Sequence, residues 1–317
     1  MNATSVGIVG AGVIRLTSAY ECVRRGYQVS IYTDREPLAT TSMRAAASFK
    51  PHEIDHNPLT VQLVQDTWSG YAEFLRLHAD QDTGVKMHTH YEAFSAPRAP
   101  AWYLAIIGPF DALTFPAVPG GYQHGWKYRT YFIDTSVFMP YLVAWLERAG
   151  VHFIVRQTPR TREDIPALGH SKVVLAVGMG GRELCADPDL HGMRGQIALV
   201  DPRPDMDWSI SADGFYVYPR ARDTVLGGTT EHANENESVD QGAIHLIVRG
   251  NKRILPDVDI SQVRRSYAGI RPWRKGGVRL ERFSLGTTDV VTNYGHGGSG
   301  FTLCFGSAKK AADLLNL

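Results

Sequence analysis

Near the N-terminus, a strand, a glycine turn, a helix, a second strand and an acidic residue follow one another directly. The apolar run Ser5–Val9 leads into Gly10-Ala11-Gly12, and the second run, Gln28–Tyr32, ends at Asp34. This order predicts a parallel βαβ unit. In such a unit Gly10 would allow the tight turn, Gly12 would let the backbone approach a pyrophosphate, and Asp34 would accept hydrogen bonds from a ribose diol. The pattern favours a dinucleotide site over the alternative, a parallel-sheet turn that binds nothing.

Arg15 occupies the position at which a third glycine normally lets the helix pack closely on the strand. An arginine there either moves the helix outward or buries a charge, and an unpaired buried charge costs several kcal/mol. In the alternative, the guanidinium reaches solvent or the pyrophosphate, where its positive charge is favourable. The sequence leaves these alternatives open, and with them the affinity for a dinucleotide.

The composition limits the classes of partner. The 317 residues correspond to about two domains, and 33 Lys and Arg against 32 Asp and Glu predict no attraction to nucleic acid or to a membrane surface. Three widely spaced cysteines argue against a disulfide scaffold, and no metal site is expected. No basic segment with a long apolar run opens the chain, and no run of ~18 apolar residues follows, so we expect a cytoplasmic protein.

A second glycine-rich turn lies near the C-terminus. The apolar run Asp289–Tyr294 enters Gly295-His296-Gly297-Gly298-Ser299-Gly300, and a helical pattern follows. Backbone N–H groups at a helix N-terminus stabilise negative charge, which a reduced flavin carries. Between about residues 194 and 282 the apolar pattern has a period of two, which predicts an antiparallel sheet inserted between the glycine turns. The two turns together predict a large cofactor held at both ends.

The segments between these features are less specific. The small side chains of Thr40–Ala47 would let a flat ring or a phosphate lie near the backbone, or they form an ordinary N-capped helical turn. Short strands and loops are expected from Tyr91 to Tyr131. A helix is expected from Asp134 to Arg148, with a late start or a kink at Pro140. His88 and His90 lack further metal ligands in the sequence, so a solvated pair is expected.

The sequence resembles the D-amino acid oxidase family of FAD-dependent amine oxidases over nearly its whole length. The most specific are Ile270-Arg271-Pro272, Val278-Arg279-Leu280-Glu281 and Asn293-Tyr294-Gly295-His296-Gly297-Gly298. The resemblance implies an α/β fold in which a Rossmann-like FAD-binding domain is interleaved with an antiparallel-sheet substrate domain. The FAD-binding domain would comprise residues 1–50, 132–186 and 285–317, and the substrate domain residues 51–131 and 187–284.

The resemblance also assigns residues to the two ligands. Arg271 would clamp the substrate carboxylate with its planar fork, and Tyr216 would supply a hydroxyl. The alternatives are a surface ion pair of Arg271 near Glu281 and a core tyrosine at 216. The cofactor-binding residues that the resemblance implies are Gly10, Ala11, Gly12, Val13, Ile14, Asp34, Arg35, Thr40, Thr41, Ser42, Ala46, Ala47, Ser48, Thr158, Gly178, Gly297, Gly298, Ser299, Gly300, Phe301 and Thr302.

Four further residues bear on the pocket. Tyr218, two residues after Tyr216, would point to the same face of its strand. Arg220 could favour an acidic substrate side chain, as in D-aspartate or D-glutamate. His296 would contribute its backbone near the flavin or act in catalysis. Ala212 stands where the family carries a mobile aromatic lid residue, which implies a more open pocket.

The activity that the resemblance implies is oxidative deamination of D-amino acids by FAD and O2. Hydride transfer from the substrate α-carbon to flavin N5 would lead to a 2-oxo acid, ammonia and H2O2. No side-chain base is required, because orientation and the cofactor supply the catalysis. Glycine, secondary amines or D-aspartate and D-glutamate are alternative substrates, and a non-catalytic homologue with FAD binding impaired by Arg15 is the other alternative. A homodimer is a further possibility.

Overall fold

The computed structural model describes residues 4–36 and 38–317, so residues 1–3, which entered the localisation prediction, lie outside the described ranges. Within those ranges the strands are β1 (Ser5–Gly10), β2 (Gln28–Thr33), β3 (Ala47–Ser48), β4 (Val85–Phe94), β5 (Phe110–Thr114), β6 (His124–Ile133), β7 (His152–Val155), β8 (Lys172–Ala176), β9 (Leu190–Val200), β10 (Trp208–Ala212), β11 (Phe215–Pro219), β12 (Thr224–Gly227), β13 (Glu231–His232), β14 (Arg265–Arg274), β15 (Arg282–Leu285) and β16 (Thr288–Thr292). The helices are α1 (Val13–Arg24), α2 (Thr41–Arg44), α3 (Pro58–Leu77), α4 (Leu104–Ile107), α5 (Thr135–Arg148), α6 (Gly181–Leu184), α7 (Gln241–Asn251) and α8 (Gly300–Leu314).

The first sheet contains the predicted βαβ unit. Among the described residues it has six strands in the order β15-β16-β8-β1-β2-β7. All neighbours are parallel except β15 and β16. The carboxyl ends of β1, β2, β8 and β16 therefore meet at one edge, which is where open α/β sheets bind their ligands.

The second sheet of the described chain has ten strands. Its main order is β13-β9-β12-β11-β10-β4-β6-β3, with β14 paired to β9 and β5 paired to β6. Neighbours are antiparallel apart from β4 and β10, which are parallel. The predicted α/β fold with a parallel and a largely antiparallel sheet is confirmed. The segment 91–131 contains loops and the short strand β5, as expected, but its two ends belong to the longer strands β4 and β6, which pair over ten residues each.

Helices α1, α3, α5 and α8 bury aromatic rings against one another beside the first sheet. Phe74 of α3 lies 5.5 Å from the ring of Phe305 in α8 and 5.6 Å from that of Tyr20 in α1. Helix α5 begins at Thr135, because the Asp134 side chain accepts a hydrogen bond from the Ser136 N–H. Of the two alternatives expected from Pro140, a late start or a kink, the late start is therefore wrong. In the described ranges, no helix combines the length and apolarity needed to cross a membrane.

Candidate functional site

A cavity of about 850 Å³ is lined by residues of both sheets. The carboxyl edge of the first sheet contributes Gly10, Asp34, Val177 and Asn293. The volume is in the range of small-molecule and cofactor sites. The sequence-predicted residues that line this cavity are Gly10, Ala11, Gly12, Val13, Ile14, Asp34, Arg35, Thr40, Thr41, Ser42, Ala46, Ser48, Thr158, Gly178, Gly297, Gly298, Gly300, Phe301, Tyr216 and Arg271.

Three predicted cofactor residues lie behind the cavity wall. Ala47 is buried in the core. The Ser299 hydroxyl donates to the carbonyl of His52 and accepts from its N–H, both at 2.8 Å. The Thr302 hydroxyl donates to the carbonyl of Lys50 at 3.1 Å. These two hydroxyls fasten the start of α8 to the lining segment 50–52.

The first glycine turn lies too close to its neighbours to carry side chains. Gly10 has a φ of +143°, and a Cβ there would overlap the carbonyl oxygen of Ala176. A Cβ on Gly12 would lie 2.9 Å from Oγ of Ser42. That oxygen accepts a hydrogen bond from the Val13 N–H at 3.1 Å, which leaves the hydroxyl proton for another acceptor. The turn, the N-terminus of α1 and the Ser42 hydroxyl together suit an anion such as a pyrophosphate.

The structure decides between the alternatives for Arg15. The side chain is fully buried, its Nη1 donates to the carbonyl of Gly10 at 3.2 Å, and its guanidinium lies 5.6 Å from the ring centre of Phe153. Burial lowers the pKa of Arg15 to about 9, and the charge of Asp34 opposes that shift. The guanidinium thus stays protonated at neutral pH beneath the turn, and α1 keeps its packing on the first sheet.

The segment Thr40–Ala47 fits both interpretations of its small side chains, a capped helical turn and a surface for a ligand. The Thr40 hydroxyl accepts from the Met43 N–H at 3.4 Å, so Thr40 is the N-cap of the short helix α2. The same run lines the cavity through Thr40, Thr41, Ser42 and Ala46. A capped helical turn therefore presents hydroxyls and small side chains to the ligand space.

The second glycine turn also excludes side chains. Gly297 has a φ of +54°, and a Cβ there would overlap the carbonyl oxygen of Glu53. A Cβ on Gly298 would lie 2.6 Å from Cδ2 of His52. Burial lowers the pKa of His296 to about 3, so its ring is neutral. Two glycine turns that a Cβ would fill, each followed by a helix N-terminus, fit the two ends of FAD.

Arg271 and Tyr216 line the same cavity, on β14 and β11. Nη1 of Arg271 donates to the carbonyls of Thr229 at 3.1 Å and Arg194 at 3.4 Å. Glu281 pairs with Arg279. Burial raises the pKa of Tyr216 to about 12 although the Arg271 charge opposes it, so the phenol keeps its proton and can donate.

Two glycines make room for these side chains. A Cβ on Gly195 of β9 would lie within 2.5 Å of Nη1 of Arg271 and would overlap the rest of the guanidinium. A Cβ on Gly227 of β12 would overlap the Tyr216 ring. The neighbouring strands therefore leave space for one guanidinium and one phenol on the cavity wall.

The pocket continues past Tyr216. The ring of Tyr218 lies 4.8 Å from that of Tyr216, and its hydroxyl is 3.3 Å from Oγ of Ser211. Strands β10 and β11 are joined by a turn of two residues, Asp213 and Gly214, both with positive φ. A turn this short has no length for a mobile aromatic lid after Ala212.

Two expectations from the sequence are wrong. Arg220 bonds both carboxylate oxygens of Asp223, at 2.6 and 2.9 Å, and does not line the cavity, so it cannot select an acidic substrate side chain. His88 and His90 are buried, because β4 is flanked by β6 and β10 in the second sheet. His90 bonds Ser209 at 2.8 Å. The described residues contain no group of three or more His, Cys, Asp or Glu side chains suited to a metal ion.

Lys50 and Glu92 are lining residues that the sequence interpretation missed. Glu92 is 5% exposed, and its Oε2 lies 3.1 Å from the Lys50 ammonium. Its Oε1 accepts hydrogen bonds from Tyr103 and Tyr128 at 2.5 and 2.6 Å. The sequence contains one signal for this pair, since Glu92 is an acidic residue within the otherwise apolar run Tyr91–Phe94.

Comparisons with known proteins add to this geometry. Residues 5–314 match the family model described as "DAO: FAD dependent oxidoreductase". The chain is 33% identical over 314 residues to the D-amino-acid oxidase of Rubrobacter xylanophilus, covering 97% of this chain and 94% of the relative. It is 31% identical over 320 residues to that of Dictyostelium discoideum, covering 98% and 90%. Glycine oxidase from Geobacillus kaustophilus has the same fold, with a TM-score of 0.83 and 19% identity over 99% of this chain and 95% of that one.

Proposed function

Because the chain belongs to the DAO family of FAD-dependent oxidoreductases, with FAD as its cofactor, we propose that it oxidises D-amino acids. The products would be a 2-oxo acid, ammonia and H2O2, with O2 as the electron acceptor. The observation that carries the proposal is the presence of the Arg271 guanidinium and the Tyr216 phenol in one cavity with both glycine turns. The relatives named D-amino-acid oxidase support it, since they match over nearly their whole length.

The lining residues divide between the two ends of the cofactor. Gly10, Gly12, Ser42 and Asp34 would hold the pyrophosphate and ribose, and the turn at 297–300 would hold the flavin. The remaining predicted residues of the lining would complete the site. When bound, FAD would accept the hydride from the substrate α-carbon.

The substrate would be held by this chain's own side chains. Arg271 is fixed from behind by the carbonyls of Thr229 and Arg194, so its other N–H groups would face the substrate carboxylate. Tyr216, protonated because its pKa is raised to about 12, would donate a hydrogen bond to the same carboxylate. Two such contacts fix the orientation of the α-carbon, and orientation supplies much of the rate in reactions of this type.

The purified protein tests the proposal directly. We expect a yellow protein with flavin absorbance, because Arg15 lies beneath the turn and leaves the cavity lining intact. Anaerobic D-alanine should bleach that absorbance, and air should restore it with H2O2 formation. L-Alanine, glycine and N-methylglycine serve as comparison substrates. Bleaching by glycine or N-methylglycine but not by D-alanine would overturn the substrate class, and a colourless protein that takes up no added FAD would overturn the redox function.

The predicted domain division, location and assembly accompany this proposal. Residues 1–50, 132–186 and 285–317 would form the cofactor domain around the first sheet, although β15 of that sheet begins earlier, at Arg282. Residues 51–131 and 187–284 would form the substrate domain. A cytoplasmic location is supported by three buried cysteines that form no disulfide. A homodimer is proposed as the assembly, and sedimentation would test it.

A further inference from the structure

Lys50 and Glu92 form an ion pair in the cavity wall. Glu92 lies on β4 of the second sheet, and Lys50 follows β3 of the same sheet by two residues. The ammonium lies 3.1 Å from Oε2 of Glu92, and the Lys50 side chain is 22% exposed while that of Glu92 is 6% exposed. Both residues line the cavity. The carboxylate therefore lies within the protein, and the ammonium is the partner that remains accessible to a ligand.

Both carboxylate oxygens of Glu92 have partners within the protein. Two tyrosine hydroxyls, of Tyr103 and Tyr128, donate to Oε1, and Lys50 contacts Oε2. Burial opposes ionisation, but the Lys50 charge and the two hydroxyls outweigh it and lower the pKa of Glu92 to about 2. Glu92 is thus a permanent anchor for the ammonium. Because an ammonium has three donors and Glu92 occupies one side of it, donors remain for an acceptor in the cavity.

Lys50 and Arg271 both line the cavity, and His52 lies beside Arg271, because a Cβ on Gly298 would be 2.6 Å from Cδ2 of His52 and 3.4 Å from Cδ of Arg271. The rings of Tyr216 and Tyr218 on β11, whose centres are 4.8 Å apart, belong to the same lining. His52 is open to the cavity, yet the surrounding protein and the charges of Arg271 and Lys50 lower its pKa to about 3. The His52 ring is therefore neutral and adds no charge of its own to the cavity wall.

We propose that Lys50 binds a second carboxylate, on the substrate side chain, so that the enzyme prefers acidic D-amino acids to neutral ones. This inference rests on the proposed function, with the α-carboxylate on Arg271. Three C–C bonds of about 1.5 Å separate the carboxyl carbons of D-aspartate, and D-glutamate adds one more. A carboxylate accepts a charge-assisted hydrogen bond, which is roughly twice as strong as the bond that the matching amide accepts.

The test compares each acid with its amide on the FAD-loaded enzyme. We would measure kcat/KM by H2O2 formation for D-aspartate, D-asparagine, D-glutamate, D-glutamine and D-alanine. The better acid should exceed its own amide at least 10-fold. If D-alanine is oxidised while neither acid exceeds its amide, the inference is wrong and the proposed function stands. If no D-amino acid is oxidised, the proposed function is wrong.

A binding measurement keeps the inference testable in that last case. Succinate and butyrate, which have equal length and differ by one carboxylate, would be titrated against the flavin absorbance. Succinate should bind at least 10-fold more tightly than butyrate. Equal affinity for the two would overturn the assignment of Lys50 to a carboxylate.

Variants then assign the effect to the ammonium. Lys50→Met should lower the ratio of acid to amide kcat/KM at least 10-fold, and Lys50→Arg should keep most of it. Lys86→Met, on an exposed lysine of β4, is the matched control and should leave the ratio unchanged. Lys50→Met leaves the buried Glu92 carboxylate without its cation, so the single variant could fail to fold. In that case the double variant Lys50→Met with Glu92→Gln is used in place of the single variant. An unchanged ratio in the double variant would overturn the proposal.

Discussion

Substitution of Gly195 by alanine tests whether Arg271 is the carboxylate clamp. The new Cβ would lie within 2.5 Å of Nη1 of Arg271 and would overlap Nη2 and Cζ. Non-bonded heavy atoms normally stay about 3.5–4.0 Å apart, so the guanidinium must move by about 1 Å or more. The end of an arginine side chain can make that shift without unfolding the protein, but a misplacement of this size costs about 100-fold in rate. At 1.36 kcal/mol per decade, this corresponds to about 2.7 kcal/mol of lost transition-state stabilisation.

The assay is kcat/KM for D-alanine and D-aspartate, with flavin absorbance and thermal unfolding measured on the same samples. We expect normal FAD content, a near-normal melting temperature and about 100-fold lower kcat/KM. Gly242→Ala, in the first turn of α7, is the control for a glycine remote from the cavity. In a double-mutant cycle, Gly195→Ala should add little to Arg271→Met, because both act on one group. Full activity of Gly195→Ala, or simple additivity in the cycle, would refute the clamp assignment.

Three other substitutions probe the site and its anchor. Tyr216→Phe removes one hydrogen bond to a charged group, worth about 1.5–3 kcal/mol, and should raise the KM for D-amino acids roughly 10-fold or more with FAD retained; an unchanged KM would contradict the role of its hydroxyl. Gly10→Ala would drive a Cβ into the Ala176 carbonyl, so we expect a protein that does not retain FAD on gel filtration, and a yellow variant would contradict this. The pKa of Glu92 is lowered from 4.5 to about 2, so the ionised side chain stabilises the fold above pH 4.5 and this contribution is lost as the pH falls towards 2. The difference in unfolding free energy between wild type and Glu92→Gln, from urea titrations, should therefore shrink over that window; a constant difference would count against the ion pair.

The part of the cavity lining that we propose for the cofactor could be predicted from the sequence, because local patterns place these residues. Gly10, Gly12 and Asp34 belong to one strand-turn-helix-strand unit, and the turn at 297–300 joins strand β16 to helix α8. In both, glycine is required where a Cβ would meet a neighbouring carbonyl or side chain. Such requirements are visible in the residues themselves.

The part of the lining that we propose for the substrate depends on contacts between residues that are distant in the chain. Lys50 and Glu92 are brought together by the pairing of β3 and β4 with β6. No sequence motif predicts this pairing. For Arg220 the sequence suggested a role in the pocket that the structure excludes. Two nitrogens of its guanidinium donate to the carboxylate of Asp223, only three residues away. The position of the Arg15 guanidinium could not be predicted from the sequence either. The alternatives, burial or contact with solvent or the pyrophosphate, differ only in the conformation of one long side chain.

The two-residue connection between β10 and β11 bears on how molecules would enter and leave the cavity. Asp213 is held by Ser95 and Arg98, so the tip of this hairpin is tied to the chain beyond β4. A tip that is only two residues long and is held by these hydrogen bonds is not built to open and close over the cavity, whose lining includes Asp213 and Gly214. Reactant and product would then exchange by diffusion through a fixed opening, and the size of that opening, rather than the opening and closing of a flap, would decide which molecules reach the interior.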